Sequence, residues 1–346
     1  MGNEGIRGED SKLIEYKRIS TMRVLEVSRY KNNYADHQLP FVTEQGEAIR
    51  ALGHEVEYFL VKGDYIKAVG ALKAKICEYK PDIVHAHYGL SAITAELQSL
   101  VPVVTTFHNG ETHKWYVNMM TSLMSLRAKH VIYVAPHIRE KVYFKAKNYS
   151  IIPCGVTLKD CFLMDKAEAR RQLGWSPDKK YIMFGGAFNN LRKNYPLLKE
   201  AVDKLSTLDF QISSIECIEM KGLSRAECIL RMNAVDVFAL PTKNEGSPQA
   251  LKEAMACNCP IVATDVADIK HLLGDLPGHY VLPNKRGTHA DWVGDEHSAS
   301  ELAGLLKQAF AFNNRTNGRE RIIELGCTNE LVAKRIVKIY EGILKK

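Results

Sequence analysis

The chain has 346 residues, 46% of them hydrophobic and 25% charged, with a formal net charge of +7. That length serves about two domains, and so small and dispersed an excess of charge argues against a nucleic-acid partner. No apolar run reaches the roughly 18 residues of a membrane span, and the opening "MGNEGIRGEDSKLIEYKRIS" lacks the apolar core of a signal peptide.

Residues 1–21 read as a flexible extension, and "MRVLEVS" from Met22 as a domain start. Short β-branched runs then alternate with helical segments. Strands are expected over 23–27, 55–61, 82–88, 101–108 and 130–135, with helices ending at Gly53 and near 65–79, 91–99 and 115–127. Strands joined by helical crossovers imply a parallel sheet covered on both faces. "SIIPCGVTLKDCF" (150–162) reads as a connector, after which the pattern restarts. Further strands are expected over 180–188, 209–215, 236–241, 260–266 and 279–283, with "SELAGLLKQAFAF" as a long helix. The final segment, "NELVAKRIVKIYEGILKK", is an amphipathic helix that could pack back on either half. Eight cysteines without a C-x-x-C pair fit reduced, buried thiols in a cytoplasmic protein.

Within "PTKNEGSPQALKEAMACNCPIVATD" (241–265), Glu245 and Glu253 flank the expected start of a helix. Ser247 suits an N-cap and Pro248 the first helical position. Ala250, Leu251, Ala254 and Met255 form the apolar face, which sets Glu253 near the opposite side. A helix amino end binds phosphate through its free N–H groups and dipole. Carboxylates on either side accept hydrogen bonds from hydroxyls. A nucleotide sugar has that layout, and a plain N-capped helix with solvated glutamates is the alternative.

"NEGSPQALKEAMACNCPIVATDVADI" resembles the Glu-x7-Glu region of retaining glycosyltransferases of family 4. "FVTEQGEAIRALGHEVEYFLV", "KPDIVHAHYGLSA", "VPVVTTFH", "FGGAFNNLRKNYPLLKEAV" and "MNAVDVFALP" resemble further segments of that family, in its order, nearest the branch that makes cell-surface polysaccharides of the capsular or teichuronic-acid type. The resemblance implies the α/β fold called GT-B, two Rossmann-like parallel-sheet domains facing across a cleft. Their expected spans are 22–152 for the acceptor and 153–326 for the nucleotide sugar, with a helix over 327–346 packing back toward the first. It also implies a nucleotide sugar (a UDP-sugar is favoured) as substrate rather than any cofactor, and a glycan or lipid-linked acceptor.

By position, Glu245 corresponds to the glutamate that holds donor-sugar hydroxyls and Glu253 to the one that holds the ribose. Gly246, Ser247, Pro248 and Gln249 would border sugar and diphosphate, and Lys193 matches the diphosphate lysine. Gly186 ends the preceding strand; Ala187 follows where the family has an arginine, and Arg192 is the candidate replacement. His108 matches a histidine near the donor sugar, and Arg29, Tyr30, His87 and Asn109 are candidates for the acceptor. "HNGE" departs from the family's His-Gly-x-Asp, and Cys154 stands where an asparagine is usual. His85 and His87 share a strand face without an evident third metal ligand, so no metal site is expected.

A glycoside hydrolase, whose two carboxylates straddle one bond, fits poorly with a phosphate-ready helix end between them. A sugar-nucleotide epimerase and a non-catalytic nucleotide-binding partner protein are the remaining alternatives. Between Lys114 and Lys147 seven Lys or Arg accompany one acidic residue, Glu140. Either a peripheral contact with anionic membrane on its cytoplasmic face or a solvated helix surface accounts for that charge.

Overall fold

The computed structural model describes residues 21–32, 38–208 and 214–345. The extension expected over 1–21 therefore lies, except for Thr21, outside the described residues, as does most of the strand expected over 209–215.

The first sheet contains β1 (Arg23–Arg29), β2 (Glu55–Val61), β3 (Ile83–His87), β4 (Val103–Phe107), β5 (His130–Tyr133) and β6 (Tyr149–Ile151), all parallel, in the order β2-β1-β3-β4-β5-β6. Its crossovers carry α1 (Pro40–Ala51), α2 (Ala68–Tyr79), α3 (Gly89–Leu97), α4 (Trp115–Ser125) and α5 (Pro136–Lys141). The second sheet contains β7 (Lys180–Phe184), β8 (Ile215–Glu219), β9 (Val237–Leu240), β10 (Ile261–Thr264) and β11 (His279–Leu282) in the order β11-β10-β9-β7-β8, again parallel. With it go α6 (Lys166–Leu173), α7 (Tyr195–Leu208), α8 (Arg225–Ala234), α9 (Gln249–Ala256), α10 (Ile269–Leu273), α11 (Ser298–Phe312), α12 (Gly318–Glu324) and α13 (Asn329–Leu344). Central strands are buried on both faces because helices cover both, and on β1 and β3 the buried residues include the polar Glu26, His85 and His87. Part of the expected connector is β6: three residues hydrogen-bonded to β5, too few for a period-two pattern to mark them.

The two sheets are parallel Rossmann-like layers of the GT-B type. The chain ends on the first of them. Thr328 caps α13 by accepting from the Leu331 N–H, and Val332, Ala333, Ile336, Val337 and Tyr340 form one stripe. That stripe packs with Ile49, Val24, Ile83 and Val104 in the core of the amino lobe. The hydroxyl of Tyr340 meets His85 Nδ1 at 2.6 Å.

The connector and the start of α13 cross between lobes side by side. Val156 N–H donates to Cys327 O at 2.9 Å, and Asn329 N–H returns to Val156 O at 3.0 Å. Gly155 lies so close that a Cβ there would stand 2.7 Å from the Asn329 backbone. Ile336 is 2% exposed within this packing. Ile336→Ala should lower unfolding free energy by about 2–5 kcal/mol in urea titration, and a loss below about 1 kcal/mol would remove α13 from the core.

Candidate functional site

Strand β9 delivers the loop that carries Glu245. The side chain is buried, 7% exposed, yet holds three polar partners. Lys193 Nζ donates to its Oε1 at 2.7 Å and Thr242 Oγ1 to the same oxygen at 3.0 Å. An Arg192 NH1 stands 3.2 Å from Oε2 and donates to Asn244 O at 2.7 Å. Burial pushes the carboxyl's pKa up, but Lys193 and Arg192 outweigh it and hold Glu245 below the ordinary carboxylate range. Gly186 makes the lysine's position available: a Cβ there would lie 2.7 Å from Lys193 Cγ.

The amino lobe closes directly over this loop. Asn109, at φ 85°, is 3% exposed, and its Nδ2 donates to Asn244 Oδ1 at 2.7 Å and to Glu245 O at 2.8 Å. His137 Nε2 lies 3.2 Å from the same carbonyl. Gly246 permits the approach, since a Cβ there would lie 2.6 Å from His108 O.

Helix α9 starts one residue later than its sequence pattern implies. Pro248, at ψ 116°, is the N-cap residue and Gln249 the first helical one, with no side-chain cap. Ser247 is not the cap because its hydroxyl accepts from Lys252 Nζ at 3.2 Å. Glu253 does not face solvent either: residues 251–256 are all buried. Its Oε1 stands 3.1 Å from Arg225, which also pairs with Glu44 of the amino lobe. Burial pushes the Glu253 carboxyl up, against the pull of Arg225 and Lys252. Gln249 donates to Gly155 O.

Lys252, wholly buried, donates to Cys154 O of the connector. Nearby Asp268 is pushed up to about 6 by burial, with Lys252 opposing.

Behind His108 lies a buried polar chain. Glu26 Oε2 meets His87 Nε2 at 2.7 Å, His87 Nδ1 meets His108 Nε2 at 3.2 Å, and His108 Nδ1 faces Cys154 Sγ at 3.6 Å. Burial pushes the Glu26 carboxyl up, but His85 and His87 bring it below its ordinary value, so it accepts. With one proton on each ring, His87 then carries it on Nε2 and His108 donates from its own Nε2. His108 Nδ1 is left to accept from the thiol. The ring of His108 sits among Phe41, Tyr88 and His87 at centroid distances of 4.8, 4.7 and 5.4 Å.

Glu26, His85 and His87 are, among the described residues, the one group of ligand-type side chains near enough to hold a metal ion, their atoms within 4.8 Å. The fold thus supplies the third group that spacing could not show. Each ring nitrogen already has a hydrogen-bond partner, which accounts for their burial as a polar network.

Two family models match the sequence: Glycosyltransferase Family 4 over residues 61–160 and Glycosyl transferases group 1 over 211–293. A Bacillus subtilis protein described as a teichuronic acid biosynthesis glycosyltransferase, TuaC, is 24% identical across 56% of this chain and 56% of its own length. The chain is similar to glycosyltransferase family 4 over these segments. The match spans about half the length of that curated relative. Among solved structures, sucrose-phosphate synthase from Thermosynechococcus elongatus superposes on this chain with TM-score 0.72 at 18% identity, covering 94% of this chain and 99% of that one. HepE of Anabaena, in complex with UDP and glucose, does so with TM-score 0.67 at 13% identity, covering 93% and 100%. At such identities these two show the GT-B fold.

The fold gathers Gly186, Arg192, Lys193, Glu245 and Gly246 with His108 and Asn109, while Glu253 stands apart on Arg225. His87 is fully buried behind His108, and the Asn109 amide is committed to the opposite lobe, so neither offers a free polar group to an acceptor. Glu111 is likewise internal, accepting from the Gly89 N–H at 2.9 Å where α3 begins. Arg29 stacks its guanidinium over Tyr88 at 5.2 Å, and Tyr30 takes the Lys62 ammonium at 5.1 Å. Arg225 and Lys252 were missed. The one available signal was Lys252 standing directly after Leu251, a residue of the apolar face of its short helix.

Burial, the larger cause, and neighbouring His87 and His108 push His85 down to about 3 from 6.5, although Glu26 opposes them. Neutral in the fold and charged when unfolded, His85 contributes stability that is present above pH 6.5 and lost as pH falls toward 3. Its imidazole NMR signals should stay unshifted from neutrality to about pH 5, and a titration midpoint near its ordinary value would contradict the packing.

Proposed function

We propose that the chain transfers a sugar from a nucleotide diphosphate sugar, a UDP-sugar in preference, to a hydroxyl of a glycan or lipid-linked acceptor in cell-surface polysaccharide synthesis, with retention of anomeric configuration. The observation that carries this reading is the buried Glu245 carboxylate, held between Lys193 and Arg192 beside the amino end of α9. The description of TuaC supports the polysaccharide setting, and HepE, solved with UDP and glucose, supports the choice of nucleotide.

In this reading the barrier lies in breaking the bond between the sugar and the phosphate. Negative charge grows on the diphosphate as the sugar takes on oxocarbenium character. Lys193, Arg192 and the first N–H groups of α9 receive that charge, although Pro248 has no N–H to offer. Arg192 then supplies what Ala187 lacks. Glu245 orients the sugar hydroxyls and favours the positive sugar. Gly246 and Ser247 border the sugar, Gln249 the diphosphate, and Glu253 the ribose once Arg225 yields one of its contacts.

His108 lies against the donor sugar from the amino lobe, its orientation set through His87 by Glu26. Arg29 and Tyr30 lie toward the acceptor side, at the carboxyl end of β1. The leaving phosphate oxygen takes the acceptor proton on the same face, so the reading names no base on the chain. Two cations and a helix end meet the charge without a metal ion.

Glu245→Ala and Lys193→Ala should each abolish transfer with the fold retained, at an unfolding midpoint lowered by the broken ion pair. Loss of one preorganised donor costs about 3–4 kcal/mol in the barrier, two to three orders of magnitude in kcat. A thermal-shift series with UDP-, GDP- and ADP-sugars should give its largest rise with a UDP-sugar. Full activity in either variant would refute the site assignment.

A further inference from the structure

Helix α4 is built inside out. Its buried residues include Asn118, Thr121, Ser122 and Ser125. Trp115, Tyr116, Met119, Met120 and Leu123, with Leu126 just beyond, are 43–65% exposed. A surface helix ordinarily buries its apolar stripe.

The inversion has a local cause. Thr121 Oγ1 donates to Val117 O at 2.8 Å, Ser122 Oγ to Asn118 O at 2.6 Å and Ser125 Oγ to Ser122 O at 2.7 Å, so the buried hydroxyls are satisfied within the helix. Small side chains on that face let α3 come close: a Cβ on Gly89 would lie 2.4 Å from Thr121 Cβ. The long apolar side chains are left outside. Tyr143 and Phe144, 61% and 39% exposed, extend the patch. Their N–H groups donate to Asn118 Oδ1 and Ser122 Oγ, both at 3.3 Å.

Cations surround this apolar face. Lys114 precedes it, Arg127 and Lys129 follow it, and Lys145 and Lys147 lie beyond Phe144, all exposed. The sole acidic residue between 112 and 149 is Glu140, whose carboxylate turns to His289 at 2.6 Å. Arg127, Lys129, Lys147 and Tyr149 also line a groove of about 1020 Å³ at the amino ends of β4 and β5, with Glu96 among its walls. Burial pushes the Glu96 carboxyl up to about 8, so near neutrality it puts little negative charge into that groove.

We propose that this face docks on an anionic lipid bilayer, the α4 side chains entering the interface and Arg127, Lys129 and Lys147 holding lipid headgroups. No described helix is long and apolar enough to cross a membrane, so the contact is with its surface. A second copy of the chain is the other natural occupant of such a patch. Face-to-face pairing would set five cations against the same five, whereas an anionic surface complements them. The helix begins beyond the carboxyl end of β4 and ends before the amino end of β5, so the docked face runs from the cleft side of the lobe to its base. The inference stands on this surface and not on the sugar-transfer reading.

The test is flotation of the full chain with vesicles of phosphatidylcholine containing one third phosphatidylglycerol, beside pure phosphatidylcholine. Affinity for the anionic vesicles should be higher by about tenfold or more. Met120→Asp with Leu123→Asp should lower it by about tenfold or more at an unchanged melting temperature. Lys129→Glu with Lys147→Glu should remove the preference for anionic lipid. The proposal is overturned if the native chain does not float at low salt, or if it binds both vesicles equally. Binding by the aspartate variant as tight as native, or sedimentation showing a dimer that this variant splits, overturns it as well.

Discussion

A carboxylate 7% exposed and ionised needs opposite charge within a few ångströms, and the site follows from that constraint. Lys193 and Arg192 meet it for Glu245 at 2.7 and 3.2 Å. Their approach depends on backbone that carries no side chain: Gly186 under the lysine stem, and Gly246 against the opposite lobe. Charge, loop and lobe closure are therefore one arrangement, and a change in any of them reaches the others.

The interface between lobes is polar and specific rather than apolar. Asn109 crosses to Asn244 and Glu245, Arg225 joins Glu44 to Glu253, and Lys252 reaches the connector at Cys154. The last two of these contacts end on α9, and the first ends on the loop leading into it. A ligand seated at the amino end of α9 would thus touch the element through which the lobes are tied. Helix α13 adds a further tie, since it leaves the second lobe and completes the core of the first.

Much of this was legible in sequence because periodicity and turn chemistry are local. Most strands of both sheets and the last amphipathic helix came from apolar runs and breaks, whereas β6 overlaps the start of the expected connector and β8 begins where the strand expected over 209–215 ends. That Glu245 and Lys193 belong to one site came from resemblance alone, since the two lie 52 positions apart, and their ion pair was not foreseen. The N-cap at Ser247 failed because the helix begins behind Pro248, and Lys252, five positions on, donates to the Ser247 hydroxyl. Glu253 was expected near the side opposite the apolar face of its helix, and there α8 supplies Arg225 to cover it. In α4 the usual rule reversed: small hydroxyl residues packed inward against Gly89 and the apolar ones stayed out. Single-element patterns report what a helix prefers and not what a neighbour will accept.

The most direct measurement is the structure of the chain with a nucleotide diphosphate sugar bound. The account predicts the diphosphate at the amino end of α9, within hydrogen-bond reach of Lys193, with the sugar toward Glu245 and His108. A diphosphate seated elsewhere, with Lys193 still closed on Glu245, would contradict it.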